Sequence, residues 1–289
     1  MMYVIPVLVV FLFAFSSLVA GFLFTIKKLI YIPKPIKDFQ KPPGTVEVFT
    51  PVHGLILPDP NTIILYCHGN YGNITERTFI IDFCRHLGIG VFLFDYQGYG
   101  RTFKTFSPSI RSIIQDSLKA YRFLKENYKD TRIIVWGESI GGIAAAHIAS
   151  LEITDGLILL SPLTDIKDVL YSSQIGGFTI YLLSKLISEG KIETYSLAKK
   201  ILCPTVVIHS KEDILIPIYS SKRFFDLIPI KSKKFITIKG CHSIPEFKHY
   251  QLCSLCNFFG FREPDSEWPT KIKRICEEQN GNTRKSLHE

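Results

Sequence analysis

From about Thr45 the chain alternates between two kinds of segment. Short runs rich in β-branched and aromatic residues predict strands at Thr45–Thr50, Thr62–Cys67, Gly90–Asp95, Arg132–Trp136, Gly156–Leu160, Thr205–His209 and Lys234–Ile238. Most are continuously apolar, the pattern of parallel strands covered on both faces. The segments between them repeat apolar residues at helical spacing. Phe79, Ile80, Phe83, Cys84 and Leu87 make one such face, and Ile110, Ile113, Ile114, Ser117, Leu118, Tyr121 and Leu124 another. Strand-helix alternation predicts an α/β fold with a mostly parallel sheet and helices on both faces.

The flanks are patterned differently. Tyr3–Ile26 carries no charge and ends at Lys27-Lys28. A bilayer span needs about 20 apolar residues, so residues 1–26 are expected to form a transmembrane anchor, in contact with the bilayer through residues 3–26. A cleaved signal peptide fits less well, because no basic residue precedes the run and its apolar core is too long. Residues 27–44 hold Pro33, Pro35, Pro42 and Pro43 and read as a stiff, extended, basic linker. The polar segment 262–289 reads as a loosely ordered tail, leaving 45–261 as the folded domain.

Charge sharpens that picture. The formal net charge is +8 and the mean hydropathy +0.18. Lys27, Lys28, Lys34, Lys37 and Lys41, against Asp38 alone, hold half of the excess. This places the basic character beside the apolar run, as in a membrane-flanking segment, and argues against nucleic acid as a partner. Lysines on this side put the domain in the cytoplasm. The seven cysteines are odd in number and scattered, which does not read as a disulfide framework. Cys253-Ser-Leu-Cys256 has no second pair to complete a zinc site and falls in an apolar stretch, so structural thiols on a late helix are expected.

One strand-to-helix junction carries chemistry. Gly137-Glu138-Ser139-Ile140-Gly141-Gly142 follows the strand Arg132–Trp136 and precedes the helical run Ile143–Ala149. In that setting G-x-S-x-G is a turn that projects its serine as a nucleophile. Glycines on either side let strand and helix meet without a Cβ clash. A serine nucleophile needs a base, an acid and an oxyanion hole. His68-Gly69-Asn70 follows the strand Thr62–Cys67, so the amides of Asn70 and Ile140 are the expected oxyanion donors, with His68 bracing the loop. In chain order the acid and the base follow the serine. His242 ends the loop after the strand Lys234–Ile238 and is the expected base, with His249 as the second choice. Asp213, after the strand Thr205–His209, is the expected acid. Its neighbour Glu212 should point elsewhere, and Asp165 is the other strand-end carboxylate.

These blocks, together with Asp95-Tyr-Gln-Gly-Tyr-Gly100 and Cys203-Pro-Thr205, resemble the α/β-hydrolase superfamily. Within it they are similar to the membrane-anchored abhydrolase-domain proteins of the bud-emergence-protein-like branch. The resemblance covers roughly residues 45–260. It implies an α/β-hydrolase fold preceded by a membrane anchor, and a Ser139–Asp213–His242 triad. Two places depart from the family pattern: Ser210 stands for the usual glycine, and Cys241-His242-Ser243-Ile244 stands for the usual Gly-His-Asn/Ser-Asp run, so the polar residues after the histidine are partly lost. Some members face a lumen, which leaves an endoplasmic reticulum lumen orientation as the alternative. Residues 162–202 resemble a small lid over the serine, or else a helix packed on the sheet edge. The function implied is an anchored serine hydrolase of carboxylic esters or thioesters, lipid acyl groups among them, with no metal or cofactor. The alternatives are a serine peptidase or protein depalmitoylating thioesterase on the same site, and a non-catalytic anchored scaffold.

Overall fold

A computed structural model describes residues 31–37, 39–103, 105–165 and 194–286, together with Ser16, Ser17 and Gly21. The rest of the uncharged run and residues 166–193 of the expected lid lie outside the described residues. Among the described residues no helix is long and apolar enough to cross a membrane.

Eight strands form the central sheet: β2 (Val46–Val48), β3 (Gly54–Leu57), β4 (Thr62–Cys67), β6 (Gly90–Phe94), β7 (Arg132–Glu138), β8 (Gly156–Leu160), β9 (Thr205–Ser210) and β10 (Lys233–Ile238). Their order is β10-β9-β8-β7-β4-β6-β3-β2. The six strands from β6 to β10 in that order pair in parallel, and β3 is antiparallel to both of its neighbours. The α/β architecture expected from the apolar pattern is therefore present. Strand β3 was not anticipated: it is four residues long, begins at a glycine and is followed by Pro58.

Strand β4 shows why the runs are continuously apolar. All six of its residues are buried. Ile63, Leu65 and Cys67 join one core and Ile64 and Tyr66 the other. The first core packs under helices α2 (Ile110–Asn127) and α3 (Gly141–Leu151). The second packs under α1 (Thr78–Leu87) and α6 (His249–Phe259), as the chain order α4 (Thr194–Ala198), α5 (Ile218–Leu227), α6 continues. Each aliphatic side chain buried this way contributes roughly 1.5–3 kcal/mol.

The C-terminal segment differs from the loose tail expected of it. Trp268–Ser286 forms a helix, α7. Trp268 and Ile272 are buried, and Cys276 packs against the same core, giving a stripe at four-residue spacing. Trp268 meets Phe83 of α1 edge to face with ring centroids 4.9 Å apart. Lys273 bonds Glu246 at 2.7 Å. The stripe is narrow and surrounded by charges, which is why composition reads as a tail.

The basic linker is also more than a spacer. Ile32–Pro33, strand β1, pairs in parallel with Tyr71–Gly72, strand β5. Pro35 bridges Gly100.

Candidate active site

Strand register brings the chemistry to one edge of the sheet. Cys67 pairs with Gly137, Glu138 with Leu160, and Ser210 with Ile238, so the loops after β4, β7, β9 and β10 leave side by side. Ligands in open parallel sheets bind at this carboxyl edge.

Ser139 occupies a tight turn between β7 and α3, with φ at +53°. That left-handed conformation is costly for a non-glycine residue and persists where the surroundings enforce it. Here its N–H donates to Leu160 O at 3.0 Å, and its own carbonyl accepts from Gly142 and Leu163, both at 2.9 Å. The glycines make the turn possible. A Cβ on Gly141 would lie 2.1 Å from the Cys67 carbonyl, and one on Gly137 would lie 2.7 Å from Ala145 Cβ.

The residues expected to act together do meet. Ser139 Oγ is 2.9 Å from His242 Nε2, and His242 Nδ1 is 2.7 Å from Asp213 Oδ2. The Ser139–His242–Asp213 chain thus joins loops 103 and 29 residues apart in sequence. The other choices lie elsewhere. His249 bonds the Pro264 carbonyl at 2.8 Å, and Glu212 accepts from the Gly240 amide at 2.9 Å. Ser210, where the family pattern has glycine, donates to the Gly240 carbonyl and accepts from Glu212 N. Ser210 and Glu212 together tie the acid loop to the base loop, on either side of Gly240.

Asp213 is held on all sides. Its Oδ1 accepts from the amides of Leu215 and Ile216 at 3.0 and 2.9 Å. Its Oδ2 faces His209 Nε2 at 3.3 Å as well as His242. Burial alone would raise its pKa, but the bonds from His209, His242 and the backbone outweigh burial and hold the carboxyl well below its ordinary range. His209 has no sequence signature beyond ending a strand, so its place beside Asp213 was not foreseen. The one available hint was its spacing, four residues before an acid at the same strand end.

The Asn70 loop is fixed from both sides. His68 is buried, stacks on Tyr96 with centroids 4.2 Å apart, and bonds Gly69 O through Nδ1 at 2.7 Å. Burial lowers the His68 pKa, so the ring is neutral and donates from Nδ1 to that carbonyl. The Asn70 carbonyl accepts from Tyr99 Oη at 3.0 Å and Ile32 N at 3.1 Å. Asn70 and Ile140 both lie outside helices and strands, Asn70 just before β5 and Ile140 at the head of α3. Beside them Glu138 accepts from Tyr66 Oη at 2.7 Å and pairs with Arg77 at 3.4 Å. Burial works against its charge, but Arg77 and Tyr66 prevail and keep it ionised.

The seven cysteines are free thiols. Cys253 and Cys256 lie on α6, and no cluster of potential metal ligands occurs among the described residues.

Comparison with known proteins agrees with this architecture. A family model described as serine aminopeptidase, S33 matches residues 58–199. The lysophosphatidylserine lipase ABHD12 of Mus musculus is 28% identical over 237 residues, covering 73% of this chain and 59% of its own length. Protein bem46 of Schizosaccharomyces pombe is 30% identical over 202 residues, covering 68% of this chain and 64% of its own. The chain thus spans less than two thirds of either relative. An esterase of Pyrococcus furiosus shares the fold with a TM-score of 0.61 at 17% identity, over 86% of this chain and 98% of the esterase. The chain belongs to the α/β-hydrolase superfamily, in its abhydrolase-domain group.

Proposed function

We propose that this chain is a serine hydrolase that cleaves carboxylic esters or thioesters, lipid acyl groups among them. Ser139 attacks the acyl carbonyl while His242 takes its proton at Nε2. Asp213 holds His242 with its proton on Nδ1 and stabilises the imidazolium that forms. The Asn70 and Ile140 amides, with the α3 N-terminus, stabilise the oxyanion. His242 then protonates the leaving group, and water activated by the same ring releases the acid.

The observation that carries this reading is the continuous Ser139–His242–Asp213 contact on a strained serine turn. A lipid substrate is supported by the relatives named as lysophosphatidylserine lipases and by the rim of the site. Ile214 and Leu215, directly after Asp213, are 87% and 49% exposed, and Tyr219 is exposed nearby. Such a cluster of apolar side chains in water suits contact with acyl chains or a bilayer surface.

The same reading places Tyr3–Ile26 in the membrane, with the lysines and the hydrolase domain 45–261 on the cytoplasmic side.

The test is labelling with a fluorophosphonate, followed by a panel of p-nitrophenyl esters, acyl thioesters, lysophospholipids and aminoacyl anilides. Labelling of the wild type that Ser139→Ala abolishes, with turnover of esters, is the expected result. Turnover of anilides alone gives the peptidase reading, to which the serine aminopeptidase family model points. Absence of labelling gives a non-catalytic scaffold.

A further inference from the structure

The linker strand Ile32–Pro33 and the segment after it run along the loop that carries Asn70. Ile32 N donates to Asn70 O at 3.1 Å and Lys34 N to Gly72 O at 3.1 Å, while Gly100 N donates to Lys34 O at 3.1 Å. Asn73 Nδ2 donates to the carbonyls of Lys34 and Pro35 at 3.3 and 3.0 Å. Lys34 Nζ bonds Tyr71 Oη and pairs with Glu76 at 3.0 Å. Tyr31 is buried in the first core. This is a complete strand addition, with backbone and side-chain bonds on both edges of the segment.

Its position gives it consequence. The Gly69–Asn70 peptide is held at its carbonyl by His68, and the Asn70–Tyr71 peptide is held at its carbonyl by Ile32 and Tyr99. The Asn70 N–H shares a planar unit with the Gly69 carbonyl that His68 holds, and the bonds to the Asn70 carbonyl hold the next unit, so together they restrict rotation about the Asn70 backbone between the two planes. One of the restraints comes from outside the hydrolase core, from a segment 38 residues earlier in the chain.

We propose that residues 31–35 are a positioning element of the active site, orienting the Asn70 amide toward the oxyanion through the Ile32-to-Asn70 bond. This rests on the serine hydrolase reading above. Oxyanion donors act on charge that exists only in the transition state, so loosening one lowers kcat and leaves substrate binding nearly intact.

Ile32→Pro in the full chain removes the donor while remaining compatible with extended backbone before Pro33. Active sites are counted by fluorophosphonate titration, and kcat and KM are measured per site on p-nitrophenyl butyrate. Affinity for a boronic acid, which mimics the tetrahedral adduct, is measured in parallel. The expected result is a loss of kcat of about tenfold, KM within about twofold, and an equal weakening of the boronate, with the conservative Ile32→Val rescuing kcat. Should Ile32→Pro not fold, Lys34→Pro, which removes the segment's other backbone donor, to Gly72 O, is read in the same way. Unchanged kcat per titrated site in the folded variant, or a rise in KM alone, overturns the proposal. Absence of labelling at Ser139 in the wild type overturns the hydrolase reading and this one with it.

Discussion

His209, near the end of β9, and Asp213, in the turn that follows it, face each other through Nε2 and Oδ2 at 3.3 Å. The same nitrogen lies 2.9 Å from the Ile216 carbonyl, and Nδ1 lies 2.7 Å from Ser221 Oγ. A carbonyl can only accept, so Nε2 carries a hydrogen. His209 is therefore a donor that steadies the Asp213 loop, on the same carboxylate oxygen that meets His242. Replacing it with Phe strands the Ser221 hydroxyl and the Ile216 carbonyl in a buried site. The expected cost is about 1–3 kcal/mol in urea unfolding. A several-fold loss of kcat should accompany it, because Asp213 loses one of the bonds that aim it at His242. Stability and kcat both at wild-type values would show that His209 merely fills space.

Asp213 makes a pH-dependent contribution with a definite sign. Its folded-state pKa lies below the ordinary carboxylate value, so its ionised form stabilises the fold above about pH 4. That contribution fades as pH falls further through the depressed folded-state value. Asp213→Asn removes it at every pH. The stability gap between wild type and variant should be full at pH 7 and shrink steadily at pH values below about 4. Asparagine also presents an N–H to His242 and favours the wrong tautomer, so kcat should fall by about 10⁴ at pH 7. A gap that widens toward acid would contradict the assigned sign.

Much of this was legible from residue order alone. The strands β4 and β8 were read with their observed ends, because a run buried on both faces has no polar residue to blur it. Ser139, Asp213 and His242 each follow a predicted strand, and parallel topology brings such positions to one edge whatever the loops do. The structure also reveals what periodicity cannot. Strand β3 is too short to show alternation. Helix α7 hides a three-residue stripe among charges. Ile32–Pro33 has a linker's composition, and only its partner at Tyr71–Gly72 makes it a strand. His209 owes its place beside Asp213 to a turn whose course no spacing rule describes.

The C-terminal helix gives a direct test of that difference. Trp268 is 6% exposed and lies against Phe83 and His86 of α1. Trp268→Ala should destabilise the domain by about 3 kcal/mol in chemical unfolding, the toll of removing a large buried ring. A loosely ordered tail would give a change within about 0.5 kcal/mol, as at ordinary surface sites. Glu246, the partner of Lys273 on α7, lies in the loop that carries His242. The variant should therefore also slow fluorophosphonate labelling of the folded protein.

Orientation across a membrane can be decided, though not by glycosylation. Asn73-Ile-Thr75 is a sequon, but Asn73 is buried and its side chain is fully used. Oδ1 accepts from Thr75 N and Oγ1 at 2.8 and 2.7 Å, and Nδ2 donates to two carbonyls of the β1 segment. A glycan bonded to Nδ2 would displace the strand that runs beside the Asn70 loop. Folded, active protein should therefore carry no glycan at Asn73 on either side of a bilayer, and Asn73→Gln would perturb the cap of the turn rather than report topology. The informative measurement is protease digestion of sealed microsomes bearing the full chain with a C-terminal tag. With Lys27 and Lys28 facing the cytoplasm, the tag should be digested without detergent. A tag protected until detergent is added would place the domain in the lumen and show that the lysine cluster does not set the orientation.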